Sequence, residues 1–216
     1  HRARLVGVVL AALALACVFW AGLSLGDLRV ATVSTVVCGT CFAFIIAVRE
    51  ATYDTHLLGW VTMAVAAGLW AMRPMKPANP VARRVIGWLI CGLALFAAAM
   101  TKGPPLALMW VLSPLIAAIV IIPRRRLGNA FGLLFATCVG MSLTAPWYLY
   151  VMHDMGGEAM GIWSTEWQSD RPEADPIWYY TALMLWVLPW TIWLIGALFQ
   201  PFLRAQGERR RQLLVA

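Results

Sequence analysis

Apolar residues along this chain gather into long runs, near 5–24, 31–48, 56–72, 86–100, 105–122, 128–150 and 177–199, separated by short polar or arginine-bearing breaks. Each run approaches the ~20 residues with which an α-helix crosses the hydrocarbon core of a bilayer. The pattern predicts an all-α polytopic membrane protein of about seven transmembrane helices. A polar loop region at 151–176 separates the last two runs.

Composition agrees with lipid as the solvent. Of the 216 residues, 62% are hydrophobic and only 12% charged, too little polar surface to coat a water-soluble globule. The first run follows HRAR and resembles a secretory signal, but it is longer than a signal core and further spans follow it. The chain opens on His1, and we read residues 1–216 as a single membrane-embedded domain that is a fragment, with its upstream helices and first outer loop missing. The end at LLVA is open to the same reading.

Charge sets the expected orientation. If Arg29, the segment Arg73 to Arg84, Arg124 to Arg126 and Arg204 to Arg211 all lie in the cytoplasm, strict alternation accommodates every span. Only Arg2, Arg4, Arg49, Lys102 and Arg171 then remain as basic residues on the outer side. Every acid except Asp27 and Glu208 joins them there. The net charge of +7 therefore reflects anchoring to anionic membrane lipids, not nucleic-acid binding. Chemistry is expected on the outer face, which PWYLY (146–150) and IWYY (177–180) border as an interfacial aromatic belt.

The five cysteines lie inside apolar runs and read as small packing residues, including the Cys38-x-x-Cys41 pair. No metal site is expected. No cofactor is expected either, and a divalent metal finds no support in the residues.

Three segments carry candidate chemistry. In AAAMTKGPPLALMWV (97–111), Lys102 has no counter-ion in its neighbourhood, and Pro104-Pro105 suit the first turn of a new helix. Free N–H groups and the positive end of that helix beside an ammonium would favour a phosphate. A snorkelling lysine at a tight hairpin is the plainer alternative. In VREATYDTHL (48–57), Arg49 ends one run while Asp54 and His56 begin the next. Thr52, Asp54 or Thr55 suits a helix cap, and Asp54 is otherwise expected to hold Arg49 or act on a donor. In GIWSTEWQSDRPEADPIWYY (161–180), Trp163 and Trp167 stand among Glu166, Asp170, Arg171, Glu173 and Asp175. Sugar sites pair rings with acids in this way, and an amphipathic interfacial helix is the alternative.

Taken in order, these segments resemble a family. Arg49-x-x-x-x-Asp54, Lys102-Gly103-Pro104, Pro146-Trp147-Tyr148, Glu166-x-x-x-x-Arg171, Pro176-x-Trp178-Tyr179-Tyr180 and Leu188-Pro189-Trp190 resemble, in sequence and spacing, the bacterial protein-O-mannosyltransferase and aminoarabinose-transferase-like glycosyltransferases of the GT-C fold. The likeness covers nearly the whole chain, with Arg4-Leu5 matching the arginine that begins an early span. It implies an integral enzyme of the bacterial inner (plasma) membrane with its active face extracytoplasmic. Such an enzyme moves a sugar, generally with inversion, from a polyprenyl-phosphate carrier to a hydroxyl on a lipid, glycan or protein. The family's main catalytic base lies in a first outer loop upstream of Leu5, so the fragment alone is expected to be inactive.

The resemblance implies supporting catalytic roles for Asp54 and Glu166, and contacts to the donor phosphate from Lys102, Arg49, Arg171 and Arg4. Trp163, Trp167 and Tyr179 are expected to touch sugar or acceptor. Many relatives carry a histidine just before Pro-x-Trp-Tyr-Tyr; here the residues are Glu173-Ala174-Asp175, which removes support for a borrowed metal site. On this reading Lys102 stays unpaired because its partner arrives on the substrate. The alternative function is a transporter or flippase of lipid-linked sugars, which would place ionisable groups near the bilayer midplane, where these runs carry almost none.

Overall fold

A computed structural model describes residues 2–50, 53–73, 80–121, 126–155, 158, 161, 184–193, 195–196 and 199. Among the described residues seven long helices follow in chain order: α1 (Arg2–Leu25), α2 (Leu28–Thr40), α3 (Phe42–Glu50), α4 (Tyr53–Met72), α5 (Pro80–Lys102), α6 (Pro104–Ile121) and α7 (Arg126–Met155). The described residues form no strand. In hydrocarbon every backbone polar group must find an internal partner, and a helix achieves this within one segment. Five of the helices (α1, α4, α5, α6 and α7) are long and apolar enough to cross a membrane.

The second apolar run departs from expectation. It was predicted as one continuous span, but it forms α2 and α3, bent by 60° at Cys41. Gly39 and Thr40 are both weak helix formers, and Cys41 adopts an extended conformation at φ −64°, ψ 136°. The N–H of Cys41 donates to Cys38 O at 3.3 Å, and that of Phe42 donates to Leu188 O at 3.0 Å. The Trp190 indole N–H adds a bond to Thr40 Oγ1 at 2.8 Å. Groups exposed by the break are thus satisfied by a segment distant in sequence.

The path of the neighbouring helices shows that the bent pair still crosses. Near its start, α4 approaches the early part of α1, where a Cβ on Gly59 would lie 3.2 Å from Leu10 O. Farther along, the Trp20 and Trp70 rings meet at a tilt of 54° with centroids 5.5 Å apart. Helices α1 and α4 are therefore parallel, and the chain between them must return to the end where α1 began. A re-entrant loop would have left α4 antiparallel to α1.

Small residues let the helices approach closely, as expected where no hydrophobic gain separates protein from lipid tails. A Cβ on Gly92 of α5 would sit 2.7 Å from Ala136 O of α7, and one on Gly87 would sit 2.8 Å from Ala71 Cβ of α4. Trp88 lies directly over Gly132, which leaves no room for a side chain there. Around this seam Cys91, Leu95, Val111 and Leu115 are fully buried, while Leu127, Phe131, Val120 and Ile121 face outward as a lipid-contacting surface would.

Alternating directions sort the charges by end. Helices α4 and α6 start, and α5 and α7 finish, at the end that holds Asp54 and Lys102. Arg29, Arg73, Arg83, Arg84 and Arg126 gather at the opposite end, where the Arg83 side chain donates to Arg73 O and Arg126 to Val120 O. The helix boundaries depart most from the sequence reading at two places. Helix α5 begins before Arg83 and Arg84, which hydropathy had excluded, and α7 continues through 151–155, which had been assigned to the loop.

Candidate functional site

Helix α5 ends on Lys102, where an ammonium complements the negative end of the helix dipole. Gly103 follows at φ +91°, a left-handed conformation that a Cβ would strain. Its N–H donates to Ala99 O at 2.9 Å and closes the helix. Its own carbonyl accepts the Ala107 N–H at 3.3 Å and so starts α6. One glycine therefore ends one helix and opens the next, and the reversal is tight.

The structure corrects the expectation that Lys102 is unpaired. Its Nζ lies 2.5 Å from Asp54 Oδ1, in a pair whose side chains are 31% and 58% exposed. The counter-ion was not visible in the local sequence because it sits on the neighbouring antiparallel helix. Asp54 is thus paired with Lys102, where holding Arg49 was one of the two roles expected of it. It occupies the first turn of α4, where its charge suits the helix dipole. An ion pair this exposed contributes about 0–1 kcal/mol to stability, so its significance is positional.

A second correction concerns the start of α6. The sequence reading supposed several free N–H groups there, but Pro104 and Pro105 have none, and the Ala107 N–H is used by Gly103. Among the first four residues only Leu106 retains an N–H to offer. An anion at this end would meet the helix dipole and the ammonium, without a cradle of backbone donors.

Other groups complete this end. Thr55, fully buried, donates from Oγ1 to Ala47 O at 2.6 Å and ties the start of α4 to α3. Tyr148 of α7 is half-buried and donates from its hydroxyl to Ala99 O at 3.2 Å. Arg49 closes α3 with an exposed side chain, and His56 follows Asp54 in α4. Arg4 belongs to the first turn of α1 at the same end, with only its backbone described. Trp147 and Tyr150 are exposed, with ring centroids 6.5 Å apart, where the sequence placed an aromatic belt.

Glu166, Arg171, Trp163, Trp167 and Tyr179 lie outside the described residues. Among the described residues, no three His, Cys, Asp or Glu side chains converge as metal ligands would. Sequence reasoning missed two features. It treated Tyr148 only as part of a belt motif, although Pro-Trp-Tyr had been singled out. It also missed the contact of Leu188 and Trp190 with the helix break, for which Gly39-Thr40 inside an apolar run was the available signal.

The fold and this ion-paired end define an all-α polytopic membrane protein whose polar chemistry is concentrated at the ends of its bundle. No family model matches the chain, and no solved structure matches it. Two curated proteins are similar to it. It is 28% identical over 181 residues to the undecaprenyl phosphate-alpha-4-amino-4-deoxy-L-arabinose arabinosyl transferase 2 of Proteus mirabilis (strain HI4320), covering 79% of this chain and 31% of that protein. It is likewise 28% identical over 194 residues to the undecaprenyl phosphate-alpha-4-amino-4-deoxy-L-arabinose arabinosyl transferase of Erwinia tasmaniensis, covering 84% of this chain and 33% of the relative. The chain thus spans about a third of the length of the curated relatives it matches.

Proposed function

We propose that this chain is part of a membrane glycosyltransferase that moves a sugar from a polyprenyl-phosphate carrier to a hydroxyl acceptor, with the Lys102 and Asp54 end facing outside the cytoplasm. The two similar proteins, both named as undecaprenyl-phosphate sugar transferases, support the class. The structural observation that supports it most is the Lys102–Asp54 pair beside the hairpin at Gly103, at the positive end of α6.

Pairing does not disqualify Lys102 as a phosphate ligand. An ammonium has three N–H donors, so one can hold Asp54 while the others meet phosphate oxygens. Asp54 then holds the charge in place before the donor arrives. During transfer the acceptor oxygen forms a bond to the anomeric carbon as the bond from that carbon to the phosphate oxygen breaks, and a carboxylate takes the acceptor proton. Negative charge grows on the departing polyprenyl phosphate, where a preorganised cation contributes most. Arg49 and Arg4 share this end and add positive charge to it. Glu166 and Arg171 are assigned to the same site as a supporting acid and a phosphate contact, and Trp163, Trp167 and Tyr179 to sugar or acceptor.

The class is tested with the full-length protein in vesicles and a radiolabelled polyprenyl-phosphate sugar. Release of polyprenyl phosphate with label on an acceptor is the expected result. Movement of intact donor across the vesicle without cleavage would instead establish the transporter reading. The face is tested separately by Ser164→Cys in whole cells, compared with the unsubstituted protein. Membrane-impermeant thiol reagents should label it; labelling by permeant reagents alone would reverse the orientation.

A further inference from the structure

We propose that Tyr148 is the positioning residue for Lys102, fixing the ammonium for the donor phosphate through the carbonyl of Ala99; this rests on the phosphate-binding role given to Lys102 above. A lysine ammonium ends a flexible four-carbon stem, so its location depends on how firmly the backbone at its root is held. That root is the last turn of α5, and the carbonyl of Ala99 is its closing acceptor. Two donors meet there: the Gly103 N–H at 2.9 Å and the Tyr148 hydroxyl at 3.2 Å. A carbonyl oxygen has two lone pairs and can accept both.

The tyrosine comes from a helix whose place relative to α5 is already fixed. Helices α5 and α7 run parallel, and they touch through backbone at Gly92 and Ala136 and again at Gly140. The hydroxyl therefore approaches from a rigid support, not from a loop. It also lies 3.7 Å from where a Cβ on Gly103 would stand, so it borders the left-handed residue as well as the closing carbonyl. Asp54 holds the tip of Lys102 from α4, and Tyr148 holds its root from α7. Three helices thus converge on one charge.

A tyrosine that only tied α7 to α5 would leave a different kinetic record. Donor KM and kcat are measured for full-length wild type, Tyr148→Phe, Lys102→Met and the double variant, with thermal unfolding in detergent as a control on folding. Loss of one neutral hydrogen bond at the root of the charge should weaken use of the donor about three- to tenfold in kcat/KM in the wild-type background. In the Lys102→Met background the same substitution should change little, because no charge remains to be placed. Equal losses in both backgrounds, or no loss in the wild type, would overturn the role of Tyr148 while leaving the Lys102 phosphate contact standing. Wild-type transfer by Lys102→Met would overturn both.

Discussion

Replacing Lys102 by methionine should lower sugar transfer by about two orders of magnitude in the full-length protein, while insertion and thermal stability stay near wild type. Methionine keeps an apolar stem of similar reach, and the lysine is one-third exposed in an ion pair that contributes little to folding. The charge itself is what the substitution removes. One preorganised electrostatic contact to a developing anion is worth about 3 kcal/mol, or roughly a hundredfold in rate. Lys102→Arg should recover part of this loss, since it keeps the charge but replaces a compact ammonium with a planar fork that cannot occupy the same point beside Asp54. A lysine that only snorkels at a hairpin makes the contrary forecast, that all three proteins turn over alike. Donor cleavage at matched expression distinguishes the two.

How much of this site was legible beforehand depends on the distance over which each feature is encoded. The runs that became α1, α4, α5, α6 and α7 were visible because apolar length is a local property. The reversal at Lys102-Gly103-Pro104 was equally local, for proline begins a helix and glycine takes the left-handed turn. The break at Cys41 left only a faint local sign in Gly39-Thr40, because a helix interrupted inside hydrocarbon looks like one run to any hydropathy count. What makes the break tolerable is a carbonyl and an indole contributed by Leu188 and Trp190, far along the chain. The partner of Lys102 was hidden for the same reason. Asp54 and Lys102 share no local motif, and only the antiparallel packing of α4 on α5 brings them together. The supposed row of N–H donors at the start of α6 is a different case. The two prolines that marked the helix start also remove its donors, so the sequence already contained the correction.

Asp54→Asn should reduce transfer about tenfold, less than Lys102→Met does, and should do so only while Lys102 is present. Asparagine preserves the shape of the side chain and remains a good residue for a helix start, so α4 should form as before. What is lost is the charge that holds the ammonium. A tenfold loss corresponds to about 1.4 kcal/mol, in the range of a charge-assisted hydrogen bond at a site that is not fully buried. Because the pair is substantially exposed, raising the salt concentration should loosen it and slow the wild type toward the Asp54→Asn rate, with a smaller change in the variant. In the Lys102→Met background the Asp54 substitution should have no further cost, and it should even recover some activity, since an unpaired carboxylate left beside the phosphate would repel it. Three kinetic outcomes separate the roles open to this residue. Full activity in Asp54→Asn would reduce it to an element of helix initiation. An undiminished loss in the Lys102→Met background would mean that Asp54 acts on donor or acceptor directly, and a loss confined to the wild-type background would identify it as the residue that holds Lys102 in place.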